Sequence, residues 1–420
     1  MDVPDAIQLM GDKQWQEIKS RLTGKFNKMM KGLFRQKGAQ LDINILASDE
    51  AQEFITTHAG ILDTGFQKVE MSDKMRERLT RSNYIFSGIK TFHELNEAFP
   101  SMLDENGNKK PFERFLNDVR KINDTYNANY LHAEYNFVQA SATMAAKWEQ
   151  FSEDGDRYYL QYRTAKDDKV RPEHAALDGV TLPMSDSFWE TYYPPNGWNC
   201  RCTVVQVRKQ KYPATEHAEA MSRGEEAMNG ERYNIFRFNS GKQGKTMPDY
   251  NPYTIKRCND CDVAKGGNTK LGFVPDYQLC QGCIMIRKCN EDRNRDNSAK
   301  ATKKSPEVKK LQGTTISNPD FNHEVLITGG SIKEWTNQPH KEYAAKNSIL
   351  KHIAKVFREA KYIGFIDNFK KKPGVKQSHL FETNVLGELS WIIVREYEIG
   401  EFVLHSISDS DKIKTGIRKE

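Results

Sequence analysis

The chain has 420 residues, 63 basic against 57 acidic side chains, a formal net charge of +6 and 37% hydrophobic residues, at a mean hydropathy of −0.76. That length exceeds one ordinary core and implies two or three folded units, while the small basic excess permits a nucleic-acid partner without requiring one. No window holds the run of about eighteen apolar residues that a membrane span needs, and the opening MDVPDAIQLM lacks a basic stretch ahead of an apolar one, so neither a span nor a leader is expected and the chain reads as a product of a reducing cytoplasm.

Residues 1–150 read as mainly helical. Phe112, Phe115, Val119, Ile122, Tyr126 and Tyr130 recur at steps of three and four, Pro111 sits where a first helical turn accepts it, and the pattern runs on through Glu134, Tyr135 and Phe137 to Ala145 and Trp148. A packed core helix accounts for this better than a cofactor box.

From 151 the texture changes to closely spaced aromatics, prolines and charges, and the segment 163–202, RTAKDDKVRPEHAALDGVTLPMSDSFWETYYPPNGWNCRC, concentrates unusual chemistry. Asp167 or Asp168 can cap a short helix started by Pro172 and Glu173, and Gly179 is free to end it in the left-handed region. Tyr193, Pro194, Pro195, Asn196 and Gly197 force a turn anchored by Trp198, and Arg163, Arg171, His174 and Arg201 are left facing acids or phosphates. His174 with Cys200 and Cys202 makes three of the four ligands of a closed metal site, with Asp178 or Cys289 available as a fourth. Two small buried thiols beside a hydrogen-bonded histidine are the simpler account, and a cysteine–histidine nucleophile pair is a further alternative.

The same string resembles the core of the Mu F-like minor head proteins of tailed phages: Arg171, His174, Leu177, Asp178, Gly179, Phe188, Trp189, Pro194, Pro195, Trp198, Cys200, Arg201 and Cys202 follow that family's order. With the helical region before it, the resemblance covers residues 1–255. It implies a head-morphogenesis protein of a phage or prophage, present in a few copies in the virion and in the host cytoplasm during assembly, with the portal protein, other capsid proteins and phage DNA as partners.

Residues 208–257 form a polar, glycine-punctuated stretch, expected to be mostly loop with one helix near 215–228. All seven cysteines lie between Cys200 and Cys289, a clustering that points to metal more than to a disulfide framework. Cys258-x-x-Cys261 and Cys280-x-x-Cys283 have the spacing of two zinc knuckles sharing one structural zinc ion, a ribbon over 256–290 that Cys289 does not join. The flanking Lys256, Arg257, Arg287 and Lys288, with the lysines at 303, 304, 309 and 310, raise DNA binding as a second use of this region.

Residues 291–320 carry almost no large apolar side chain and read as a linker. Beyond it, a helix over 340–360 and the strand-like runs KYIGFID, SHLFETNV, ELSWIIVREY and EFVLHSIS, with a hairpin turn at YEIGE, make an α+β domain over 321–420. These runs resemble the nuclease-like domains grouped with barnase, EndoU, the tRNase colicins and RelE. That resemblance implies metal-independent cleavage of RNA, with His340 and His379 as acid and base, Lys346 or Arg395 holding the phosphate, and Ser406 on the cleft wall. The fold expected is multidomain α+β: helical region 1–150, Mu F-like core 151–255, zinc ribbon, linker and nuclease-like domain. A phage-borne toxin-like RNase delivered by its head-protein half is the rival to a virion protein.

Overall fold

The computed structural model describes residues 12–254, 276–368, 372–385 and 387–418, and it divides into two compact units, 1–290 and 291–420. Among the described residues no helix is long and apolar enough to cross a membrane.

The first unit opens with a helical bundle. In α1 (Asp12–Phe34), Leu22, Phe26, Met29, Met30 and Leu33 fall on one face and are fully buried. Helix α2 (Asp49–Thr64) begins where the Ser48 side chain accepts from the Ala51 amide, and α3 (Asp73–Ala98) where Ser72 does the same for Met75. Each such cap stabilises its helix by about 1 kcal/mol. The expected long helix from Phe112 is present as α4 (Phe112–Asp124) and α5 (Leu131–Asp154), joined by a π-helical turn at Thr125–Tyr130. The wider turn leaves the Tyr126 carbonyl to accept from Lys90 Nζ at 2.8 Å.

A three-stranded antiparallel sheet follows. Strands β1 (Tyr159–Arg163), β2 (Thr181–Pro183) and β3 (Thr203–Val207) lie in the order β2-β1-β3. Between them sit the single-turn helices α6 (Pro172–Ala175) and α7 (Phe188–Thr191). Helix α8 (His217–Ala227) matches the helix expected near 215–228. The rest of the polar stretch is more ordered than its composition suggested: Tyr233, Phe236, Phe238, Met247 and Tyr253 join the core around α9 (Ser240–Gln243). Two of its buried polar side chains are tied to distant parts of the same unit, Asn239 to the Trp189 carbonyl and Thr246 to Asn83, which offsets much of the cost of burying them.

Helix α10 (Asp276–Lys304) corrects the linker expected from 291: low hydrophobicity did not prevent helix, because Lys, Arg, Asn and Ala favour it or cost it little. Within the first unit Cys283 and Ile286 of α10 are buried, Ile286 against Gly88 of α3. Within the second unit Ser298 accepts from Asn347.

The second unit is a curled six-stranded sheet carrying helices. After α11 (Pro306–Lys309) come β4 (Thr315–Asn318), inside the expected linker, and β5 (Phe321–Leu326). Helix α12 (Gly329–Asn337) starts on a capping box between Thr328 and Ser331. The helix expected over 340–360 is broken into α13 (Tyr343–Ile349) and α14 (Ile353–Glu359). The strand-like runs form β6 (Lys361–Asp367), β7 (Val375–Val385), β8 (Glu388–Tyr397) and β9 (Phe402–Ser408). The order is β4-β5-β9-β8-β7-β6, antiparallel except for the β5–β9 pair. At YEIGE the Tyr397 amide bonds the Glu401 carbonyl and Gly400 takes φ +83°, as a tight hairpin requires. Trp335, Leu350, Ile353, Phe357, Phe381, Ile392 and Leu404 form the core.

Candidate functional site

The segment 163–202 folds as a crossover from β1 to β3 that closes on itself. Pro172 stands in the first turn of α6, but the residue before the helix is Arg171, with no side-chain cap. Asp167, expected as a cap, instead takes both guanidinium nitrogens of Arg201 at 2.5 and 2.6 Å. Gly179 adopts φ +84°, and its amide bonds the Tyr162 carbonyl, so the chain returns onto β1 as the glycine allowed. Asp178 accepts from the amide and hydroxyl of Thr164. Trp198 packs edge-on against Phe137 and Phe236, with ring centroids 5.2 and 5.3 Å away. Asn196 is fully buried and accepts from the Tyr162 hydroxyl at 2.8 Å. Arg171 donates to the Trp198 carbonyl at 2.6 Å and Arg163 to Gln161 at 3.1 Å. The basic side chains expected to face outside acids or phosphates are therefore largely spent inside the fold.

α6 brings His174 under the loop entering β3, and there Cys200 and Cys202 meet it. Nδ1 lies 3.7 Å from each Sγ, and all three residues are at most 3% exposed. A hydrogen bond from Cys202, with His174 adding to it, holds the Cys200 thiol well below its ordinary value. The same contact, with burial, pushes Cys202 far up, so the pair by itself tolerates a single negative charge. A cavity of about 210 Å³ adjoins the cluster, bordered by Lys169, Arg171 and Arg201. Neither Asp178 nor Cys289 is among the residues gathered there.

Of the motif residues, Leu177, Phe188, Trp189, Cys200 and Cys202 thus join the core of the first unit, and Arg171, His174, Cys200, Arg201 and Cys202 border the cavity. Residues 106–205 match the family described as Phage Mu protein F like protein. Over 179 residues the chain is 32% identical to a protein of Escherichia phage Mu named for capsid assembly, protein F, covering 41% of this chain and 38% of that one. Over 102 residues it is 34% identical to the Mu-like prophage FluMu F protein of Haemophilus influenzae, covering 24% of this chain and 22% of the relative. The chain therefore spans well under half the length of these curated relatives. Residues 294–404, within the second unit, match large polyvalent protein-associated domain 3. No solved structure matches the chain significantly. The Mu F-like segment runs from just ahead of α4 into β3 and so contains the whole His174–Cys200–Cys202 cluster.

Of the ribbon ligands, Cys258 and Cys261 lie outside the described residues. Cys280 and Cys283 stand in α10, so the second pair is carried on a helix and not in the tight turn expected.

The residues assigned to RNA cleavage are dispersed over the second unit. His340 is buried, with Nε2 2.9 Å from the Ser390 hydroxyl and Nδ1 accepting the Glu342 amide. His379 is buried too, with Nδ1 at the Tyr362 hydroxyl (2.9 Å) and Nε2 at Glu396 (3.0 Å). His379 pairs with Val394 in the sheet register, four residues along β8 from Ser390, roughly 13 Å at strand rise. Both imidazoles thus have both nitrogens engaged and sit apart. Lys346 is fully buried, donates to the carbonyls of Trp335 and Gln338, and is pulled by burial down to about 7. Arg395 alternates with Val394 and so faces away from His379. A bulge opposite Ile393 and Val394 sets Ser406 against Ile393, on the face opposite Leu404.

Sequence reasoning missed a buried polar network in the bundle. Lys90 Nζ donates to Glu134 (2.6 Å) and lies 3.2 Å from His58 Nε2, while the Tyr253 hydroxyl donates to the other Glu134 oxygen (2.6 Å). Glu134 is held down at about 2, and burial lowers His58 to about 4. Glu94 is fully buried and pushed up to about 8, chiefly by desolvation. The signal available was Leu79, Asn83, Phe86, Lys90 and Glu94 at helical spacing, a core-facing stripe that contains charge.

Proposed function

We propose that the chain is a minor head protein acting in capsid assembly of a Mu-like phage or prophage, located in the virion and in the host cytoplasm during assembly. The observation that carries this reading is the match of residues 106–205 to the Mu F-like family, with Leu177, Phe188, Trp189, Cys200 and Cys202 of the motif buried in the core of the first unit. Capsid-assembly naming of a 32%-identical relative supports other capsid proteins as partners. The portal protein and packaged DNA are finer assignments of the same proposal. Mass spectrometry of purified proheads and virions tests it. The chain is expected in both at low copy number beside the portal, and its absence from both particles overturns the reading. RNA cleavage is not carried forward as a second reading, because the two histidines it needs are separated and each is internally bonded.

A further inference from the structure

We propose that His174, Cys200 and Cys202 hold a zinc ion whose fourth position opens onto the cavity beside them, a site separate from the four spaced cysteines further along the chain. The proposal does not depend on the capsid reading. Zinc binds thiolate at about 2.3 Å and imidazole nitrogen at about 2.0–2.1 Å, so a tetrahedral shell sets nitrogen and sulfur roughly 3.6 Å apart. His174 Nδ1 stands 3.7 Å from each sulfur, and all three donor atoms lie within 4.8 Å of one another. A direct contact between two thiols and an imidazole does not require that symmetry. Sharing one ion does.

The donors come from two separately anchored places. His174 rides on α6, and Cys200 and Cys202 on the loop that enters β3, with Arg171 tying the Trp198 carbonyl between them. His174 Nε2 is buried with no hydrogen-bond partner, so the ring is oriented from its Nδ1 side. Two sulfurs and one imidazole suit zinc and disfavour magnesium or calcium, which demand oxygen. A dication also cancels the charge of two buried thiolates. No further His, Cys, Asp or Glu among the described residues joins the cluster. The remaining position therefore falls to water from the cavity of about 210 Å³, at whose border Lys169 stands beside Arg171 and Arg201, the last two already held by the Trp198 carbonyl and Asp167. Three protein ligands with one open position differ from the closed four-sulfur shell of a structural zinc site.

The test uses the full chain with Cys258→Ser and Cys261→Ser, which removes two ligands of the other candidate zinc set. Purified without chelator, this variant is expected to retain one equivalent of zinc by elemental analysis. X-ray absorption at the zinc edge is expected to give two sulfur and two nitrogen or oxygen neighbours. Adding Cys200→Ser and Cys202→Ser is expected to remove the metal. A folded Cys258→Ser, Cys261→Ser chain with no metal overturns the proposal, as does zinc bound through four sulfurs or through light atoms alone. The absorption measurement needs only the thiol-intact cluster, and repeating it with Cys280→Ser and Cys283→Ser added assigns the two sulfurs to Cys200 and Cys202 even where substitutions of those two prevent folding; loss of the sulfur neighbours in that variant overturns the proposal.

Discussion

Replacing Lys90 with methionine removes the buried ammonium bonded to Glu134 in the first unit. Lys90 Nζ holds Glu134 at 2.6 Å and the Tyr126 carbonyl at 2.8 Å, and both Lys90 and Glu134 are almost wholly shielded from water. With the amine gone, Glu134 keeps the Tyr253 hydroxyl and His58 at 3.7 Å, an imidazole that burial holds neutral, and so loses its permanent counter-charge. Breaking a buried pair in this way costs about 3–5 kcal/mol. At 1.36 kcal/mol per tenfold, that is roughly two to nearly four orders of magnitude in an opening equilibrium. Hydrogen exchange read by mass spectrometry reports it directly: peptides from α3 and α5 should lose protection by that factor, while peptides from β7 and β8 of the other unit serve as an internal control. The double variant Lys90→Met, Glu134→Leu removes both charges and should recover most of the loss, since apolar replacements of a buried pair are often neutral. A loss of protection under tenfold in the single variant, or a double variant worse than either single one, refutes the reasoning.

Glu94 sets a pH dependence of the opposite sign to an ordinary salt bridge. Its unfolded form loses a proton near 4.5 and its folded form near 8, so stability falls as pH rises through that interval. His58, lowered from 6.5 to about 4, acts in the reverse direction below 6.5, which leaves pH 6.5–8 as the window where Glu94 acts without it. Urea unfolding of the first unit should show declining stability across that window, and Glu94→Gln should flatten it; an unchanged slope contradicts the assignment. Gly241→Ala should destabilise by about 1–3 kcal/mol in the same assay, because a Cβ there collides with Trp148, and a neutral result means the α9 approach to α5 is looser than described. Elemental analysis should find one zinc fewer in Cys280→Ser and no change in Cys289→Ser, with the reverse pattern excluding the spaced four-cysteine set. Incubation of the full chain with RNA should leave it intact, and cleavage abolished by His379→Ala would restore the nuclease reading.

Periodicity and motif spacing carried a good deal of this protein. The helical run through Phe115, Val119 and Ile122, the strands after residue 361 and the hairpin at Gly400 were legible because each rests on local patterning or a backbone requirement that neighbours in sequence impose. The gathering of His174 with Cys200 and Cys202 was legible as a possibility from the ordered motif alone. Tertiary structure decided what local patterns do not contain. Residues 291–304 are helical, although composition alone read them as a linker, since helix formation needs propensity and a place to dock as much as hydrophobicity. Lys90 and Glu94 are interior because a bundle stripe buried them, with Glu134 and Tyr253 arriving from distant sequence to meet Lys90. His340 and His379 look like a pair along the chain, but a strand register that no short window reveals holds them apart, each bonded to its own partners. Sequence sets which groups are available and which elements form; only the packing of those elements determines which groups share a site, because that depends on contacts between residues far apart in the chain.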